Sequence, residues 1–189
     1  MKDHLATREE AIEIGRQMRE QLPVLARNYE PTKSGKSEYT KATWAFFEQL
    51  HKANDWGFSP ATCPTKGRAK GEYLTDFALF DHLFGNRIVC ESEWGDGTTE
   101  VRDDFWKLRD TKGDVKIIVF QADHASGNTL SPRYADEFKA VLAGSGHHHP
   151  GHEFYLFFQY QGERAKLFLW EPKQCGPFKP EEIQFEFIA

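Results

Sequence analysis

The sequence predicts an α/β fold, a central mixed β-sheet flanked by helices, from three observations. Segments with the 3.6-residue period of an amphipathic helix alternate with short strand-like runs, in the order helix, helix, strand, strand, helix, strand, helix, strand, strand. That order describes layers of helix on sheet rather than a bundle or a sandwich. The run Lys116-Ile117-Ile118-Val119-Phe120-Gln121 is almost wholly apolar, as a strand buried on both faces at the centre of a sheet must be. Two aromatic runs, Glu153 to Tyr160 and Ala165 to Trp170, are separated by Gln161-Gly162-Glu163, a loop short enough for an antiparallel hairpin.

Thr7-Arg8-Glu9-Glu10 matches a capping box, and Ala11, Ile14, Met18, Leu22 and Leu25 follow at three- and four-residue steps, so a helix is predicted over residues 8 to 28, kinked or ended by Pro23. Pro31 to Ser37 reads as a connector, and Tyr39 to Ala53 as a second helix with Thr43, Phe47 and Leu50 on its inner face. Gly, Pro and basic residues make Trp56 to Gly71 a long loop. Gly71 to Asp81 and Arg87 to Gly95 read as strands that pair as an antiparallel hairpin, and Gly95-Asp96-Gly97 turns the chain. A helix over Thr99 to Thr111 buries Val101, Phe105 and Leu108. Pro132 then opens a helix whose core face is Tyr134, Phe138, Val141 and Leu142. His147-His148-His149 and His152 resemble a metal-binding tract, but Pro150-Gly151 breaks any helix there and the segment reads as a flexible loop. Ile183 to Ile188 is a last strand.

A chain of 189 residues with 39% hydrophobic content, 16 Phe and 5 Trp fills the core of a single domain, with residues 1–37 as an N-terminal helix and connector and 38–189 as the core. Its apolar runs are too short to span a bilayer and its N-terminus lacks a signal-peptide core, which predicts a soluble, cytoplasmic protein. Cys63, Cys90 and Cys175 contain no C-x-x-C pair, so reduced thiols are expected. The net charge of -5 excludes a protein that coats nucleic acid by charge alone. Local basic clusters remain: Lys33, Lys36 and Lys41, and, directly before the first acidic strand, Lys66, Arg68 and Lys70.

The chemistry-bearing residues are acids on strands. Alternation places Val89, Glu91 and Glu93 on one face of the Arg87 to Gly95 run, and two neighbouring carboxylates repel unless one is protonated, splayed into water or bridged by a cation. Mg²⁺ suits such a pair because it takes hard oxygen ligands and keeps waters that a phosphodiester can meet, and Mn²⁺ substitutes for it. Asp76, on the neighbouring strand, offers a further oxygen.

These residues resemble the PD-(D/E)xK nuclease superfamily, whose restriction endonuclease-like core is a helix, a three-strand meander, a helix and a further strand. The resemblance covers roughly residues 38 to 122, with Asp76 in the place of the family Asp and Glu91-x-Glu93 in the place of E-x-K. Glu93 stands where most members carry lysine. In some members that lysine has migrated to the following helix, where Lys107 is the counterpart here. The resemblance implies a Mg²⁺-dependent endonuclease acting on DNA. Asp76, Glu91 and Glu93 would be metal ligands, Lys107 the catalytic cation, and Lys66, Arg68 and Lys70 a phosphate-approaching loop. Glu48 on the first core helix and Gln121 at the end of the apolar strand are secondary candidates.

Two other functions fit the same residues: a catalytically inactive, nuclease-like binding or assembly protein, and a metal-dependent enzyme acting on small phosphate esters. The aromatic C-terminal strands are suited to core packing, to base stacking or to a homodimer interface. Adjacent acid and histidine pairs, Asp81-His82 and Asp123-His124, point to opposite faces of a strand and do not orient one another.

Overall fold

The computed structural model describes residues 5–29, 37–59, 75–81, 85–94, 97–122, 127–144, 148–161 and 164–189. The chain is an α/β protein whose described residues form one seven-stranded mixed sheet flanked by four helices. Helix α1 (Arg8–Ala26) opens with the expected capping box: the Glu10 N–H donates to Thr7 Oγ1 at 3.2 Å and the Thr7 N–H to the Glu10 carboxylate at 2.8 Å. Pro23 lies inside α1, which continues past it to Ala26. Helix α2 (Ser37–Asn54) follows.

A short strand, β1 (Gly57–Ser59), occupies part of what composition marks as loop. It pairs antiparallel with β2 (Phe77–Asp81), which pairs antiparallel with β3 (Gly85–Glu93). Gly57 is needed where it stands, because a Cβ there would lie 2.1 Å from the Phe80 ring. Helix α3 (Thr98–Asp110) then crosses to β4 (Val115–Gln121), which runs parallel to β3. Helix α4 (Pro132–Ala143) crosses to β5 (Phe154–Gln161), parallel to β4. The sheet is completed antiparallel by β6 (Arg164–Trp170) and β7 (Glu186–Ile188), so β4 lies at its centre, as its sequence predicts. Only the end of the expected last strand is extended, and Pro180–Glu182 forms a 3₁₀ turn ahead of it. The order α2, β1, β2, β3, α3, β4 is the helix, meander, helix and strand that the resemblance implies.

Both faces of the sheet are covered. On one, α1 and α2 bring Ala11, Met18, Leu22, Phe46 and Phe47 onto Phe77, Leu79, Ile88, Cys90 and Val119. Gly15 lets α1 settle against β6, since a Cβ there would come within 2.8 Å of Leu167 Cδ2. On the other, α3 and α4 bring Val101, Phe105, Leu108, Tyr134, Phe138, Val141 and Leu142 onto Ala78, Val89, Ile118, Phe120 and Phe157. A polar side chain of β5 steadies the start of α4: the Ser131 N–H donates to Gln159 Oε1 at 2.7 Å. Among the described residues no helix is long and apolar enough to cross a membrane.

A charged cluster is also sealed under α3 and α4, near the start of β4. Lys116, only 4% exposed, lies 2.5 Å from Glu153 Oε1 and donates to the Arg109 carbonyl at 2.7 Å. The Tyr155 hydroxyl donates to Glu153 Oε1 at 2.6 Å, and the His149 N–H to Oε2 at 2.9 Å. His148 is buried with Nε2 donating to the Leu142 carbonyl at 3.1 Å. The described end of the His-rich segment is therefore fixed by hydrogen bonds rather than the flexible loop its composition suggests, while His147 lies outside the described residues.

Burial alone would push Glu153 upward, but the His148 hydrogen bond, the Lys116 charge and hydrogen bond, and the Tyr155 hydroxyl outweigh it and hold the carboxyl at about 2. Its contribution is complete above the ordinary value of 4.5 and is lost as pH falls toward 2. Glu153→Gln or Lys116→Met alone is expected to cost about 3–5 kcal/mol in denaturant unfolding, because one buried charge is left unpaired. The double variant should regain most of that loss.

Candidate functional site

Strand β3 carries the first candidate. Val89 packs toward α3, so alternation turns Glu91 the same way, and the residue is 2% exposed. Asp76 stands one residue ahead of β2, where the pairing of Phe77 with Cys90 sets it beside Glu91. Its backbone N–H hydrogen-bonds the Glu91 carboxylate. Its own Oδ2 accepts from the Ser92 N–H at 2.9 Å and from the Ser92 hydroxyl at 3.0 Å. The sheet register thus brings the two predicted acids together, and Ser92, the residue between Glu91 and Glu93, fixes one oxygen of Asp76.

The Glu91 carboxyl is poorly satisfied. Its Oε1 is buried and has no hydrogen-bond partner among the described residues. Burial, followed by the charges of Asp76 and Asp104, pushes its pKa from 4.5 to about 9, against a smaller opposing pull from Lys107 and the Asp76 N–H. Without a cation this group keeps its proton at neutral pH.

Lys107 comes from the last turn of α3, one side of which lies over β3. Its side chain is 51% exposed, and its ammonium donates to Asp104 Oδ1 at 2.6 Å. Burial lowers its pKa, but the Asp104 hydrogen bond and the fields of Glu91, Asp104 and Asp76 prevail and hold it above the ordinary value. Lys107 is therefore a cation at the site, not a base. Asp104 is a site residue that the sequence reading passed over. Its signal was present, since an acid three residues before a lysine shares a helix stripe with it.

None of the other described candidates is among the charges that act most strongly on Glu91. Glu93 is half-buried at the end of β3, and the charges acting most strongly on Glu91 are those of Asp76, Asp104 and Lys107 rather than its own. Glu48 belongs to α2, across the sheet from α3, and pairs with Lys52 at 2.9 Å. Gln121 is exposed, and alternates with Val119 onto the α1 and α2 face rather than the Glu91 face. Lys66, Arg68 and Lys70 lie outside the described residues. Among the described residues no group of three or more His, Cys, Asp or Glu side chains is arranged to enclose a metal ion. Two surface hollows of about 740 and 760 Å³ lie away from the acids, one beside Arg8, Trp170 and Glu186, the other beside Lys112, Lys116 and His152.

The donor set nevertheless suits a hard divalent cation. Mg²⁺ is commonly held by one or two carboxylates, with waters and substrate phosphate completing the shell, so the carboxylates of Asp76 and Glu91 suffice in number and kind. Comparison with protein-family models, with curated proteins and with solved structures finds no match to this chain.

The unfolded chain releases the Glu91 proton near 4.5 and the folded chain near 9, so in between the folded state binds more protons. Stability of the cation-free protein is expected to be full below the lower value and to fall with rising pH, by at most about 1.4 kcal/mol per pH unit. Glu91→Gln should flatten that slope in thermal melts recorded in chelator from pH 5 to 9.

Proposed function

We propose that this chain is a divalent-cation-dependent phosphodiesterase acting on DNA, an endonuclease of the PD-(D/E)xK kind that its residues resemble. The observation carrying the reading is the orphan oxygen of Glu91, sunk between two further carboxylates and faced by a lysine ammonium. A structural acid at such a depth normally gains partners, as Glu153 does. A carboxylate left short of one is poised for a cation.

Asp76 and Glu91 would hold Mg²⁺, with Mn²⁺ as a substitute, and Glu93, at the rim, would hold water in its outer shell. A bound ion of this kind polarises a phosphoryl oxygen and lowers the pKa of a coordinated water. The chain's own residues supply the rest. Ser92 fixes Asp76, so that its second oxygen keeps one direction. Lys107, held protonated, offers positive charge to the phosphorane-like transition state and a donor that orients the attacking water. The Ser92 hydroxyl is committed to Asp76, which favours direct attack by water over a covalent intermediate. Lys66, Arg68 and Lys70 would meet the flanking phosphates.

Plasmid and single-stranded DNA and RNA oligonucleotides, incubated with the protein in Mg²⁺ or Mn²⁺, test this. Cleavage of DNA is expected, with Asp76→Ala and Glu91→Ala each reducing it by about a hundredfold or more. Cleavage that survives Glu91→Ala would place the chemistry elsewhere. Saturable Mn²⁺ binding with no cleavage of any polymer or nucleotide would instead favour an inactive, nuclease-like binding protein.

A further inference from the structure

The link between Lys107 and Asp104 carries an inference that rests on the phosphodiesterase reading above. A lysine stem has four rotatable carbons, and a half-exposed one samples many rotamers unless its ammonium is tethered. Here the tether is Asp104, 16% exposed against the 60% of its neighbour Asp103, whose nearest cation is Arg102. The two acids thus have different tasks. Asp103 faces water, whereas Asp104 is set into the groove between α3 and β3, near enough for its charge to act on Glu91. Phe105 and Leu108 lock this orientation by packing into the core, so the stripe bearing Asp104 and Lys107 cannot rotate away from the acids. Pairs spaced three residues apart on an open helix surface add only a few tenths of a kcal/mol, too little to explain this placement by stability.

We propose that Asp104 is a positioning residue: it fixes the Lys107 ammonium on the Asp76 and Glu91 side of α3, where a scissile phosphate would be bound. It touches neither substrate nor cation and acts through the lysine.

A double-mutant cycle on the full chain tests this, with Asp104→Asn, Lys107→Met and the pair assayed for oligonucleotide cleavage in Mn²⁺. Asp104→Asn is expected to lower kcat by about tenfold to a hundredfold with KM nearly unchanged, and to have no further effect once Lys107 is Met. Asp104→Glu, which restores the carboxylate, should recover part of the rate. An equal loss in the Lys107→Met background, or a loss confined to KM, would overturn the proposal, because Asp104 would then act directly on cation or substrate. NMR relaxation of the Lys107 Cε group gives a readout free of activity: Asp104→Asn should disorder it, and unchanged order would refute the tether. If the wild-type chain cleaves no phosphodiester, the functional reading fails, and the relaxation measurement still decides whether Asp104 holds the lysine.

Discussion

Burial of β3 on both faces is the constraint from which the site follows. One face of this strand belongs to the core shared with α1 and α2 and the other lies against α3, with β2 and β4 on its edges. A side chain in its middle is almost wholly withdrawn from water. For Val89 and Cys90 that confinement is stabilising. For Glu91 it removes hydration that neighbouring groups replace only in part, and the group answers by holding a proton. The antiparallel register with β2 adds Asp76, and the crossover through α3 adds Asp104 and Lys107. Three separate segments therefore deliver charge to one point on a strand whose middle is buried.

Glu153 shows what the same burial does when partners are supplied. It too is almost wholly buried, yet an ammonium, a phenol and a backbone N–H converge on its two oxygens, and it stays ionised well below the ordinary carboxylate range. The contrast separates a structural carboxylate from one held in reserve. Both lie on the α3 and α4 face of the sheet, toward opposite ends of the parallel strands, and only the one at the C-terminal end of β3 is left incomplete. Open sites in sheets with parallel strands favour that end, where the strands stop and the crossover segments begin.

How far the chain reveals this in advance depends on the range of the interaction. Local periodicity suffices for α3 and α4, whose inner faces are the apolar ones that three- and four-residue spacing marks, and for β4, whose unbroken apolar run places it at the centre. It fails for β1, because a three-residue strand beginning at a glycine has too little pattern to stand out from the loop around it, and its existence depends on β2. The acidic strand pair was legible because alternation is a property of a single segment. Asp104 was passed over because helical spacing was read for apolar contacts alone, and the Lys116 cluster because its members meet only after β4 and β5 pair. Glu48 and Gln121, the secondary candidates, stand apart for another reason. Each belongs to an element near the site, but the side of the sheet it occupies is settled by which helix covers which face.

On the proposed nuclease reading, Glu93 in the place of a strand lysine gains a physical sense once Asp104 and Lys107 are considered together. A cation on α3 would leave the strand free to be acidic, and the helix brings its own carboxylate to hold that cation. With Glu91 ionised, three carboxylates would stand against a single ammonium, an imbalance of two charges in a poorly hydrated place. One divalent cation would neutralise it. Protonation of Glu91 relieves only part of the imbalance, which is why the proton is a substitute that a cation could displace. Lys107 cannot take the cation's place, since its single charge offsets only one of the three carboxylates. On this reasoning the helix pair does not compete with a divalent ion at Asp76 and Glu91. It defines the charge that such an ion would have to bring.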